Sequence, residues 1–160
     1  MSRISQISRL IVIILAIFLT LGSSLIFPAT ALADSSTLGI REGHLSACPK
    51  SPNCVVSQNG DSKHAIEPIT YNVDRDRAFS TLLKVITAVP RTEVIEKTDN
   101  YVRATSKSRI FKFTDDVEFY LPPNENVIHV RSASRVGDSD LGVNRRRIEQ
   151  IRLALQDLNI

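Results

Sequence analysis

The sequence predicts an α+β domain, an antiparallel sheet of about four strands with two helices packed on one face. Three observations carry that expectation. Apolar residues recur at helical spacing in two separate stretches, near 74–90 and 142–158. Between them lie short β-branched and aromatic segments at hairpin distance from one another. No internal repeat or low-complexity tract interrupts this order.

The elements follow in turn. "DSSTLGIREGHLSA" (34–47) is small and polar and reads as a flexible lead-in, ahead of a single domain over 48–160. The next stretch, "CPKSPNCVVSQ" (48–58) running into "NGDSKH" (59–64), reads as ordered loop. Pro49 and Pro52 exclude a regular helix, and Asn59-Gly60 is a turn signal. The first helix follows Asp74, a good N-cap, carries Phe79, Leu82, Leu83 and Ile86 on one face, and stops at Pro90. Strands are expected at "TEVIEK" (92–97), "YVRATS" (101–106), "VEFYL" (117–121) and "VIHVRSAS" (127–134). Asp99-Asn100 and "PPNEN" (122–126) supply turns, while "KSRIFKFTDD" (107–116) fits either a strand or an irregular link. The last helix covers about 142–158, with Ile148, Ile151, Leu155 and Leu158 on one face. The second sheet face is left to water, to the 48–70 loop or to a partner.

Residues 1–33 differ from the rest. Arg3 and Arg9 precede the apolar run "LIVIILAIFLTLG" (10–22), Pro28 breaks it, and Ala31-Leu32-Ala33 closes it. That is the layout of a signal peptide cleaved between Ala33 and Asp34. The alternative is an uncleaved anchor, since Leu10–Phe27 is at the lower edge of a membrane span. Membrane contact is expected only through this segment, if it is retained. "LSAC" (45–48) lies too far from the apolar run to be a lipidation signal. Losing two arginines and no acid takes the net charge from +3 to +1. A surface so close to neutral argues against nucleic-acid binding, which needs a basic footprint.

Cys48 and Cys54 are the only cysteines, and three chemistries compete for them. A redox pair is usually Cys-x-x-Cys at a helix N-terminus, unlike five intervening residues with two prolines. Zinc would recruit His44 and His64, but that spacing matches none of the usual structural sites. A disulfide suits an exported chain, and closing so small a loop contributes about 2 kcal/mol. The disulfide is the reading adopted, with no metal and no cofactor expected.

"CPKSPNCVVSQ", followed far downstream by "RSASRVGDSDLGVNRRRIEQI" (131–151), resembles the bacterial and plastid family known as domain of unknown function 1499. The resemblance spans roughly 39–158 and implies, for an exported member, the thylakoid lumen or periplasm. It implies no catalytic residue.

The stretch "RSASRVGDSDLGVNRRR" (131–147) is the second informative one. Arg131 and Arg135 are spaced to share a strand face with His129. Gly137 permits a turn, and Asp138, Ser139 and Asp140 offer cap chemistry for the last helix. Asp115 and Asp116 are expected just before the neighbouring strand. Arg145, Arg146 and Arg147 open the helix, where each cation opposes the macrodipole by about 0.3–1 kcal/mol. Three readings stay open. In the first, the aspartates at 115, 116, 138 and 140 are partners of these arginines in a structural network that ties the helix to the sheet. Alternatively Arg131, Arg135 and Arg145, with Asp138, Asp140 and Asn144, form an anion or partner site. In the third, a hydrolase works through Asp115, Asp116, Arg131, Arg135 and Asp138. There is no Gly-x-Ser-x-Gly elbow, phosphate loop, dinucleotide fingerprint or His-Glu-x-x-His motif. The sequence therefore favours a non-catalytic binding or assembly module, with a protein partner or small anionic ligand, over the hydrolase.

Overall fold

A computed structural model describes residues 38–108 and 112–160. The expected signal peptide and its cleavage point lie outside the described residues, as do the first residues of the expected lead-in. The described chain folds as α+β, with two helices and antiparallel strands.

In chain order the strands are β1 (Ile40–Arg41), β2 (His44–Leu45), β3 (Cys54–Val56) and β4 (Ile69–Thr70). Helix α1 (Arg75–Ala88) follows, then β5 (Thr92–Lys97), β6 (Tyr101–Lys107), β7 (Thr114–Tyr120), β8 (Val127–Ser134) and helix α2 (Val143–Asp157). The main sheet has six strands rather than about four. Strands β5 to β8 form a meander, and β3 and β4 both pair with the outer side of β8. Those two are only three and two residues long, too short for alternation to reveal them.

Local chemistry explains most boundaries. Asp74 caps α1, its Oδ1 accepting from the Arg77 amide at 2.8 Å. Edge strand β5 carries a bulge between Val94 and Glu96, which disrupts the ladder where a second chain would add. Strand β7 starts at Thr114, so Asp115 and Asp116 lie within it rather than before it, opposite Ser134 and Ala133. Leu158, expected on the core face of the last helix, is 50% exposed just beyond the end of α2. The helix has already run out there, and its apolar stripe ends with Leu155.

Pairing assigns the two sheet faces. Val55, Val102, Ala104, Val117, Phe119 and Val130 face the helices and pack with Leu82, Ile86, Ile148, Ile151 and Leu155 in one core. The opposite face carries Tyr101, Glu118, Tyr120 and Arg131. It is not left bare. Residues 40–45, inside the stretch expected to be a flexible lead-in, form the β1–β2 hairpin, and Leu45 packs on Tyr101 and Tyr120. Glu42 and Gly43 both take positive φ (51° and 77°), as a tight two-residue hairpin turn requires. Gln58 secures this hairpin, accepting from the Leu45 amide and donating to the Gly43 carbonyl. The 59–65 turn is equally tight. A Cβ at Gly60 would lie 2.9 Å from the Ala65 backbone, so this position needs glycine.

Candidate functional site

The arginine–aspartate residues are divided between the two sheet faces. On the face away from the helices, Glu118 is fully buried and accepts three hydrogen bonds. Its Oε1 receives the Gly39 amide and the Tyr101 hydroxyl, both at 2.8 Å, and Oε2 receives Arg131 Nη1 at 2.9 Å. Burial, and next the Glu118 charge, drive the Tyr101 hydroxyl pKa well above its ordinary value, so this phenol acts as a donor. Arg131 Nε is buried without a hydrogen-bond partner among the described residues. Farther along the same face, Arg135 makes a two-pronged contact with Asp116, Nε to Oδ2 and Nη2 to Oδ1, both at 2.8 Å. These hydrogen bonds raise the Arg135 pKa and keep it cationic.

On the helix face, Arg147 enters from α2 and pairs with Asp115. Its Nη1 also donates to Ser132 Oγ at 3.0 Å and to Asn144 Oδ1 at 2.6 Å. Asn144 Nδ2 donates to the Asn53 carbonyl at 2.9 Å, which also receives the Ser134 amide at 3.0 Å. Asn53 thus ties the cysteine loop to β8 and α2. The two motifs, far apart in sequence, meet through Asn53, Ser132, Ser134 and Asn144.

Arg131, Arg135 and Arg145 do not converge. Arg145 is held elsewhere, donating to the Ala65 and Lys63 carbonyls at 2.9 and 3.1 Å. Arg152, two turns on, grips the Pro68 and Glu67 carbonyls in the same way. Asp140 caps α2 rather than pairing with an arginine, accepting from the Gly142 and Asn144 amides at 3.0 and 2.6 Å. Asp138 is exposed and makes no hydrogen bond or ion pair among the described residues. Every aspartate or glutamate buried in this region is thus already occupied by a guanidinium.

Cys48 and Cys54 are joined, with an S–S distance of 2.02 Å and Cα atoms 5.7 Å apart. The His44–Cys48–Cys54–His64 zinc set is therefore not formed. His64 is buried with Nδ1 2.8 Å from Asp61 Oδ1 and Nε2 3.1 Å from the Ser51 carbonyl oxygen. Among the described residues no group of three histidines, cysteines or carboxylates is placed to hold a metal. His129 stacks on Tyr120, with Ser57 Oγ at 3.3 Å from Nδ1 and Glu125 Oε2 at 3.9 Å from Nε2. Desolvation lowers its pKa, partly opposed by Glu125.

The open surface lies on the other side of Arg147. A groove of about 540 Å³ runs between the C-terminal half of α1 and the neighbouring side of α2, floored by Val85, Ala88, Val89, Ile151, Ala154 and Leu158. A second depression of about 340 Å³ continues it, with Val89, Pro90, Arg147 and Gln150 lining both. The second part is rimmed by Arg91, Lys107 and Arg146, and among the described residues no carboxylate lines it. Arg91 Nε donates to the Lys107 carbonyl and Arg146 Nη1 to the Leu141 carbonyl. None of the three forms an ion pair among the described residues. Asp157 stands in the first part of the groove.

Sequence reasoning missed Glu118, Tyr101, Asn53 and Arg152, and it missed the groove. One signal was available. Glu118 interrupts the otherwise apolar "VEFYL" at a position that, once both faces are covered, must be buried and paired. The groove left no such mark, because Val85, Ala88 and Ala154 read as ordinary helix-face residues.

Among the described residues no helix is long and apolar enough to cross a membrane; separately, the disulfide is compatible with an exported protein. No curated protein matches the chain. The family described as "Protein of unknown function (DUF1499)" matches residues 44–155, which include both the disulfide loop and the arginine-rich motif that meet through Asn53. The chain belongs to that family.

Proposed function

We propose that this protein is an exported, non-catalytic binding module of the thylakoid lumen or periplasm, and that its ligand is a small anion-bearing molecule. The observation that carries this reading is a contrast in charge pairing. The buried carboxylates of the polar cluster are each matched by an arginine, whereas Arg91, Lys107 and Arg146 rim a cleft without a carboxylate partner among the described residues. Cations held around a concave surface without acids attract an anion in preference to water. The proposed site thus moves from Arg131, Arg135 and Arg145 to the cleft beside the N-terminal half of α2, at Arg91, Lys107 and Arg146.

The alternative, a hydrolase using Asp115, Asp116, Arg131, Arg135 and Asp138, has less support. A general base needs a carboxylate free to accept a proton, and Asp115 and Asp116 are held by Arg147 and Arg135. Asp138 is free but exposed, with no nucleophile or base set against it.

Melting temperature measured against orthophosphate concentration tests the binding reading. A rise in the wild type that is abolished by the double substitution Lys107→Gln and Arg146→Gln is expected. No rise with orthophosphate or with any carboxylate ligand would reject it. Export is tested separately by intact mass of the protein from its native cells, expected to begin at Asp34 with two hydrogens fewer than the reduced chain.

A further inference from the structure

We infer that the groove between α1 and α2 takes a single-chain anionic amphiphile, its alkyl chain along the apolar floor and its carboxylate among Arg91, Lys107 and Arg146. This rests on the binding reading above and adds the chemistry of the ligand.

Three features of the groove select that chemistry. The floor is aliphatic: Val85, Ala88, Val89, Ile151, Ala154 and Leu158 offer no aromatic plate for a ring and few groups to orient a polar body. Leu158 is half exposed at one end of it, an apolar surface that water does not favour. The charges are also graded along its length. Lys84 and Asp157 both line the first part and offset one another in charge, whereas Arg91, Lys107 and Arg146 rim the other depression with no acid among its described lining residues. The net positive charge therefore lies at the second depression, which draws an anionic head there and fixes the direction of the chain.

Dimensions agree with this occupant. From Arg147 to Leu158 the helix advances by roughly 16 Å at 1.5 Å per residue, the reach of a medium to long acyl chain. The volume, about 540 Å³ before the basic end is added, is within the ordinary range of small-molecule sites. Arg147 separates this chain from the buried Asp115, since its guanidinium is already committed to Asp115, Ser132 and Asn144. The buried acid therefore does not repel the head, and the three outer cations remain available.

Calorimetric titration of the purified protein, in whichever N-terminal form the cells produce, tests the assignment. The probes are octanoate, decanoate and dodecanoate below their micelle concentrations, 1-dodecanol, orthophosphate, and phosphatidylglycerol vesicles. Affinity should climb about two- to fourfold per methylene along the carboxylate series, the upper figure being full burial of each group. 1-Dodecanol should bind at least tenfold more weakly than dodecanoate, and Lys107→Gln with Arg146→Gln should remove that difference. Ala88→Glu, at an exposed position of the floor, should weaken dodecanoate at least tenfold while the melting temperature stays near wild type. Should Ala88→Glu fail to fold, the milder Leu158→Ser must produce a weakening of at least threefold. Orthophosphate binding without chain-length dependence would overturn this inference and leave the anion-binding reading intact. Silence from orthophosphate and carboxylates alike would end both. Binding to vesicles but not to monomeric dodecanoate would make the groove a membrane-docking face and also overturn it.

Discussion

At the scale of single residues, Glu118 is a carboxylate buried completely among its neighbours. A carboxylate leaves water at a high desolvation cost, which Arg131, Tyr101 and the Gly39 amide offset together. Glu118→Ala strands the buried Arg131 guanidinium and should destabilise by about 3–5 kcal/mol in urea unfolding. The double replacement Glu118→Leu with Arg131→Met should lose much less, because no charge is orphaned. Arg135 is a milder case. Its side chain is 40% exposed, so water replaces much of what Asp116 loses, and Arg135→Ala should cost only about 1 kcal/mol. A melt indistinguishable from wild type for Glu118→Ala would remove the whole account of this face.

His129 gives a pH dependence of definite sign. Its folded pKa lies below the ordinary value of 6.5, because desolvation outweighs the pull of Glu125. The unfolded chain then binds more protons, so stability falls as pH drops below about 6.5 and levels off below the folded pKa. His44, Glu125, Tyr120 and Ser57 are the groups around it, and none supplies a second acid. His129→Gln should lessen the loss between pH 7 and pH 5, read as the change in urea midpoint. A wild-type midpoint that rises on acidification through this window, with His129→Gln flat, would contradict the sign.

At the scale of elements, the staple and the cap each hold one end of the same joint. The disulfide fixes the loop that presents Asn53, whose carbonyl receives Ser134 and Asn144. Reduction should cost about 2 kcal/mol, measured as the difference in unfolding free energy with and without reductant. Asp140 holds the other end by capping α2, and Asp140→Ala should cost about 1 kcal/mol. The same cap explains how three arginines are tolerated at the helix start. Arg145 and Arg147 leave the helix axis for the 63–65 carbonyls and for Asp115, and only Arg146 stays by the helix, on the Leu141 carbonyl. Since the two sites share the Asn53–Asn144 link, the disulfide and cap losses should combine to less than their sum.

At the scale of the whole molecule, one side of the sheet builds stability and the outer side of the helices offers a surface for binding. The hairpin over Tyr101 and Tyr120 closes the second face, so the sheet presents no broad apolar face there. What stays open lies between α1 and α2, where an aliphatic floor meets cations without acids. Occupation of that groove should slow amide hydrogen exchange in the last turn of α1 and along α2, leaving β7 unchanged. Protection spreading first through the sheet would place the ligand elsewhere.

Read alone, the sequence supplies the order of α1, β5 to β8 and α2, the cap at Asp74, the disulfide and the family, because each rests on neighbours along the chain or on the only two cysteines present. Helical period also announced Leu82, Ile86, Ile148, Ile151 and Leu155 as core, but it placed Leu158 there too, beyond the point where the helix ends. Tertiary structure alone decided the rest. Strands of two or three residues such as β3 and β4 have no period of their own and exist because β8 offers them an edge. Which carboxylate an arginine takes is likewise settled by register: Glu118 lies opposite Arg131 on β8, while Arg147 comes to Asp115 from a helix docked on the other face. A groove is a gap between two elements, and its shape exists only once both have been placed.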